Sequence, residues 1–283
     1  MKKLLLSACL ALSLNATARH QQMSLQQAIF RHLITSKVMS TGAYQGFCMY
    51  IQLGNRGQDS LILTLEAGRC LNSLDDQFQD ILVTKEEVIV LSRLQIKKIK
   101  VKGYCCQASN RCPNANAVYG INKLADSNLV CIARYLSRSN YPPAIEQMAV
   151  WSISDKYSIA SVCDNRDNSF LELRQYLANL KGEKLPWYTI QCYSYVYRNG
   201  AITTFPQFLK GKLNYTNEKE NYATLSICDA FGRAVCEFKS QWLLVGDNQN
   251  YDLNIPIKGL AKGKYKIALS TADKKLAEES FEI

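Results

Sequence analysis

Histidine is scarce and cysteine plentiful in this chain, and that imbalance decides much of the chemistry it can run. It carries two histidines and eleven cysteines. His20 and His32 lie in no motif that would join either to a nucleophile, so a Ser-His-Asp or Cys-His arrangement would rest on His32 alone. Histidine-based catalytic zinc fails on the same ground. Cys105, Cys106 and Cys112, with Cys131 or Cys163, could form an all-thiolate zinc site in principle. Adjacent residues rarely hold one zinc together, however, and the C-x-x-C knuckle is missing. The reading of this cluster is therefore a disulfide from Cys112 to Cys105 or Cys106, with no metal and no cofactor. Nothing in the order of the acidic residues marks the paired carboxylates of a glycosidase. Tyr188, Tyr193, Tyr195 and Tyr197 alternate with other residues, as a strand presenting a tyrosine face would.

The start of the chain says where those thiols would work. Met1-Lys2-Lys3, the apolar run Leu4 to Leu14 and the small residues Ala16-Thr17-Ala18 read as a secretory signal peptide over residues 1–18, cleaved between Ala18 and Arg19. A lipid anchor on Cys9, after Leu6-Ser7-Ala8, is the rival and would leave a very short signal. No later stretch is apolar for long enough to span a bilayer, so the mature chain is read without a transmembrane segment. Export also argues against nucleic acid as a partner. The net charge of +10 falls to about +8 without Lys2 and Lys3 and is spread along the chain. Its densest cluster is Lys97-Lys98-Ile99-Lys100-Val101-Lys102, where alternation puts Lys98, Lys100 and Lys102 on one wet face that could meet phosphate or lipopolysaccharide. Removing Cys9 leaves an even number of cysteines for an oxidising compartment, seven up to Cys163 and three beyond. Complete pairing would thus need a bridge between the halves.

The elements that must position these residues are mostly strands. Ser24 and Gln27 have capping-box spacing ahead of Ala28, Ile29 and Leu33, which predicts an opening helix. Phe47 to Leu53, Leu61 to Leu65, Ile81 to Thr84, Val88 to Leu91 and Ile96 to Tyr104 are short and alternating, a sandwich or barrel rhythm. From Asp126 the period lengthens, with Leu129, Ile132, Ala133 and Leu136 on one stripe. Pro142-Pro143 opens a second helix that ends near Asp155, and Ser169 with Glu172 caps a third that Gly182 stops. Lys181 to Pro186 is polar and marks the boundary. Beyond it, Leu225 to Cys228 and Ala234 to Phe238 flank a hairpin with Gly232 at its left-handed position. Tyr265 to Leu269 should be central, and the last strand should close an edge. The fold class is mainly β: an N-terminal β-sandwich or barrel with added helices (α+β) over residues 19–183, then a small immunoglobulin-like β-sandwich over 184–283.

Six stretches carry resemblances to three known families. Gly103-Tyr104-Cys105-Cys106-Gln107-Ala108-Ser109-Asn110-Arg111, Gln147 to Asp155 and Leu185-Pro186-Trp187-Tyr188-Thr189 resemble a family of exported Bacteroidota proteins, which implies export and assigns no activity. Leu225 to Arg233 and Gly259 to Tyr265 look like the small C-terminal sandwiches of that phylum, among them the type IX secretion sorting domain. Glu146-Gln147-Met148-Ala149-Val150-Trp151 is similar to the T-Q-x-A-[IV]-W stretch of bacterial thioester adhesin domains, with Glu146 in place of Thr. That resemblance implies a Gln147 side chain joined to a cysteine thiol, with Cys105 or Cys106 after Tyr104, or Cys48 after Phe47, as partner. The rival reading is a helix that buries Met148 and Ala149, lays Trp151 over the sheet and bonds Gln147 to a backbone group.

Location, sandwich architecture and missing catalytic equipment lead to an exported, non-enzymatic binding or adhesion protein of the cell envelope or medium, with a surface, glycan or protein ligand. A covalent thioester adhesin is the first alternative. A secreted hydrolase, which would need an acidic cluster in a deep cleft, is the second.

Overall fold

The structure is a computed structural model that describes residues 21–164 and 170–283. The signal stretch with Cys9, Ala18 and Arg19, as well as His20 and Ser169, lies outside the described residues. Within them the protein is mainly β, with four α-helices grouped in the first part of the chain.

Strand β1 (Gln21–Ser24) leads into α1 (Leu25–Phe30), where Ser24 and Gln27 exchange the two bonds of the expected capping box. The next strands are β2 (Ile34–Ser40), β3 (Gln45–Asn55), β4 (Leu61–Leu65), β5 (Arg69–Ser73), β6 (Ile81–Val83), β7 (Glu87–Leu91), β8 (Ile96–Cys105) and β9 (Val118–Leu124). Of the two architectures the alternation allowed, the chain forms the barrel: β2-β3-β8-β6-β5-β9 closes on itself, which leaves those strands no open edge. A three-stranded sheet, β1-β4-β7, packs with it around a core containing Met49, Ile51, Leu53, Leu63, Leu71 and Val101.

The helices cover the other side of β8 and β6. Asp126 caps α2 (Ser127–Ser137) through the Leu129 N–H, α3 (Pro143–Ser154) starts on its prolines, and α4 (Leu171–Lys181) stops at Gly182, whose φ of 68° is left-handed. The third helix begins at Leu171 after Phe170. A single 3-10 turn at Ile159–Ser161 lies between α3 and α4. α3 is buried on every side from Ile145 to Ser152, as a helix with no polar face must be. It is the central element of a second core with Tyr104, Ile132, Leu173 and Leu177.

The remaining strands, β10 (Thr189–Val196), β11 (Ile202–Asn217), β12 (Asn221–Cys228), β13 (Ala234–Glu237), β14 (Gln241–Leu243), β15 (Gly246–Pro256), β16 (Lys264–Ser270) and β17 (Lys275–Glu282), form two sheets around a third core. One sheet is β10-β11-β15; the other runs β13-β12-β16-β17, with β14 on the far half of β12. The Asp229–Arg233 hairpin turns at Gly232, φ 80°, and β16 is internal while β17 is the edge. Trp187 and Tyr188 tie the first residues of this sandwich to its last strand. The Trp187 indole donates to the Ser280 carbonyl at 2.8 Å, and the Tyr188 hydroxyl accepts from the Glu282 N–H at 2.8 Å.

No helix among the described residues is long and apolar enough to cross a membrane. The tyrosine face is corrected in part. Tyr188 precedes β10 and is buried in the sandwich core, whereas Tyr193, Tyr195 and Tyr197 are exposed, the last one residue past the strand.

Candidate functional site

Three local features fix the end of β8. First, β3 pairs with β8 as far as Gln45 opposite Tyr104 and then diverges, so the next residue, Cys105, stands at the rim of the barrel. Second, Gln107 turns left-handed, φ 64°, and its carboxamide exchanges hydrogen bonds with Asp80, while Cys106 N–H donates to the Asp80 carbonyl at 2.8 Å. Third, the carboxylate of Asp155, just past α3, accepts from the Ala108 N–H at 2.6 Å. The turn after Cys105 is thereby held from both sides.

Into the place that β3 vacates comes the N-terminal half of α3. Gln147 is fully buried, and its carboxamide pairs with the backbone of Cys105: the Cys105 N–H donates to Oε1 at 3.1 Å, and Nε2 donates to the Cys105 carbonyl at 2.8 Å. The same N–H also reaches the Tyr44 carbonyl at 3.2 Å. The side chain thus stands in for a neighbouring strand, and its amide carbon is fixed beside the Cα that bears the Cys105 thiol.

Strand alternation sends the two adjacent cysteines to opposite sides. Cys105 enters the barrel core, where Cys48 donates a hydrogen bond to the Gly103 carbonyl at 3.3 Å, and Cys106 enters the helical core. Gln147 is therefore brought to Cys105, with Cys48 close by. Cys112 lies in a loop whose N–H donates to the Gly200 carbonyl at 2.7 Å, close enough to Cys105 for the two thiols to act on each other electrostatically, although they are not bonded. All ten described cysteines are thiols in this structure. Burial pushes the Cys105 and Cys106 thiols well above their ordinary pKa, and pushes Cys48 up to about 12 and Cys112 up to about 11.

Beside Gln147, Glu146 is also fully buried and meets Lys102 of β8 at 2.8 Å. A carboxylate at this depth requires such a partner. Next to it the Tyr104 phenol is pushed up, first by burial and then by Glu146.

A cavity of about 210 Å³ opens onto Gln147. Its walls come from α3 (Met148, Trp151), from the 3-10 turn and its exit (Ser161, Cys163) and from β10 (Cys192, Tyr193), so the helices and the C-terminal strands both contribute. The Trp151 indole N–H, buried in that wall, finds no acceptor among the described residues. A second cavity, of about 490 Å³, lies at the start of α3 between Phe47, Lys102 and Tyr141. Neither lining contains Asp or Glu.

Protein-family models, curated proteins and solved structures were compared with the chain. It matches none of them.

The sequence marked Gln147 and Cys105 and missed what surrounds them. The Lys102–Glu146 pair gave no signal, because Lys102 looked like one more lysine on a wet strand face. Arg174 of α4 was also missed: it is buried and donates to the carbonyls of Pro186 and Tyr188, each at 2.8 Å, pinning the boundary segment to the helices. His32 is exposed, and no group of three or more metal-ligating side chains occurs among the described residues.

Proposed function

We propose that this is an exported adhesion protein whose binding is covalent, through a thioester between the side chains of Cys105 and Gln147. The observation that carries the reading is the pairing of the Gln147 carboxamide with the backbone of Cys105. The two residues are 42 apart in sequence, and the cysteine that Gln147 reaches is the one preceded by Tyr104.

The reaction balances without a cofactor. The Cys105 sulfur attacks the amide carbon of Gln147; a C–S bond forms, the C–N bond breaks, and the nitrogen leaves as ammonia, carrying the thiol proton. An amine or hydroxyl of a partner surface then attacks the same carbonyl carbon, forming an amide or ester and returning the thiol. The hydrogen bonds between the Gln147 carboxamide and the Cys105 backbone support the first step by holding the amide beside the residue that bears the thiol, while burial opposes it by keeping that thiol protonated. The cavity that reaches Gln147 offers the incoming nucleophile a path.

Intact mass of the folded protein, made in an exporting host without reductant, tests this. A mass short by one ammonia, made up by methylamine with one thiol newly open to alkylation, is the expected result. A full mass that methylamine leaves unchanged would make Gln147 a structural residue and the protein a non-covalent binding module.

A further inference from the structure

The outer face of the barrel on β2, β3 and β8 has an unbalanced charge. These strands contain five lysines, Lys37, Lys97, Lys98, Lys100 and Lys102, and not one Asp or Glu. Register puts Lys37, Gln52 and Lys98 in one row across the three strands, and Met39, Tyr50 and Lys100 in the next. Residues directly opposite in a sheet share a face, so Lys37, Lys98 and Lys100 project together into solvent. Lys102, farther along, is held by Glu146; Lys37, Lys98 and Lys100 form no ion pair with described residues.

Like charges this close repel one another, and a sheet surface ordinarily relieves that with opposite charges across the strands. Here the aromatic ring of Tyr50 gathers them instead. The Lys98 ammonium lies 4.1 Å from the ring centroid and the Lys100 ammonium 5.9 Å. The face therefore holds fixed positive charge with no acidic partner of its own.

From this we infer that the β2-β3-β8 face binds a linear acidic polysaccharide, one bearing carboxylate or sulfate groups. Strands lying side by side present a shallow, extended surface that suits a chain better than a small ligand. The lysines supply the counter-charge, while Thr35 and Gln52 add exposed polar groups for sugar hydroxyls. Ile96, strongly exposed, stands at the end of the face in register with Gly54 and Thr35, and the two rows of lysines carry no exposed apolar cluster to enter a bilayer. This inference does not depend on the Cys105–Gln147 thioester, since Lys37, Lys98 and Lys100 line neither of the cavities beside α3.

The test is binding of the whole protein to immobilised heparin and polygalacturonate, with dextran as the uncharged glycan and phosphatidylglycerol vesicles and duplex DNA as other polyanions. Binding to the acidic glycans at low salt, lost as ionic strength rises toward about 0.5 M, is expected. The double variant Lys98→Glu/Lys100→Glu should lose at least about tenfold in affinity, and Lys98→Gln/Lys100→Gln should lose less. Lys262→Glu/Lys264→Glu, the same charge change on the sandwich, should change little. Thermal unfolding confirms that each variant is folded, and unchanged methylamine uptake by the first would separate the two sites. Equal binding by wild type and Lys98→Glu/Lys100→Glu overturns the inference, and so does binding to vesicles or DNA as tight as to the acidic glycans.

Discussion

The carboxamide of Gln147 completes a strand-like pair with Cys105, accepting from its N–H at 3.1 Å and donating to its carbonyl at 2.8 Å, at the point where β3 has left β8. One side chain thus joins the barrel to the buried helix α3. In a Cys105→Ala background, where no thioester forms and the carboxamide stays whole, Gln147→Ala removes the partner of a buried carbonyl, while the N–H of residue 105 keeps Tyr44. A loss of about 1–3 kcal/mol in urea unfolding is expected. A double variant as stable as Cys105→Ala alone would mean that the pair does not hold the rim.

Glu146 and Lys102 form a buried ion pair at 2.8 Å beside that joint. Lys102→Met should cost about 3–5 kcal/mol, because it leaves the carboxylate without a counter-charge. Lys102→Met/Glu146→Leu should recover most of that loss. Equal destabilisation in the single and double variants would contradict this account.

Arg174 anchors the segment between α4 and β10 through the carbonyls of Pro186 and Tyr188. Arg174→Met leaves both buried carbonyls short of a donor, so limited proteolysis should cut near 182–186 sooner than in wild type. An unchanged cleavage rate would show that the helices hold the segment without it.

The raised thiols set a direction for pH dependence. Burial lifts Cys48 from 9.0 to about 12 and Cys112 from 9.0 to about 11, and the Tyr119 phenol also rises. Above pH 9 the unfolded chain releases these protons while the folded chain keeps them, so the native state binds more protons and stability falls as pH rises. Unfolding free energy should decline from pH 9 toward pH 11, less steeply in Cys48→Ala. Constant or rising stability over that window would be the contrary result.

Trp151 has a buried N–H without an acceptor in the wall of the cavity that reaches Gln147. In the proposed reaction that N–H, four residues along α3 from Gln147, is a donor free to serve charge developing on the Gln147 carbonyl oxygen. Trp151→Phe, which removes the N–H and keeps an aromatic ring, should slow methylamine uptake at least about tenfold in folded protein. Uptake at the wild-type rate would confine Trp151 to packing.

Much of this was legible in the sequence, because the signals were local. The capping box at Ser24, the prolines opening α3, the stop at Gly182 and the turn at Gly232 each act within one turn of chain. Strands β2, β5 and β9 were not foreseen. Lys37 and Asn72 sit among polar neighbours, and what holds those strands is closure of the barrel, a long-range property. The candidate site divided in the same way. A motif could mark Gln147 and offer three cysteines, but the choice among them depends on which side of β8 each faces and where β3 departs. Glu146 and Lys102 could not be paired from a sequence in which one looked like a helix-start acid and the other like a surface base.

The central claim is most directly tested by mapping where isotope-labelled methylamine lands in folded wild-type protein, with the new thiol trapped by alkylation and both located by peptide mass spectrometry. This account predicts the label on Gln147 and the alkyl group on Cys105, with neither in Cys105→Ala and both retained in Cys48→Ala. Protein that takes up no label at Gln147, or that takes it up equally without Cys105, would contradict it.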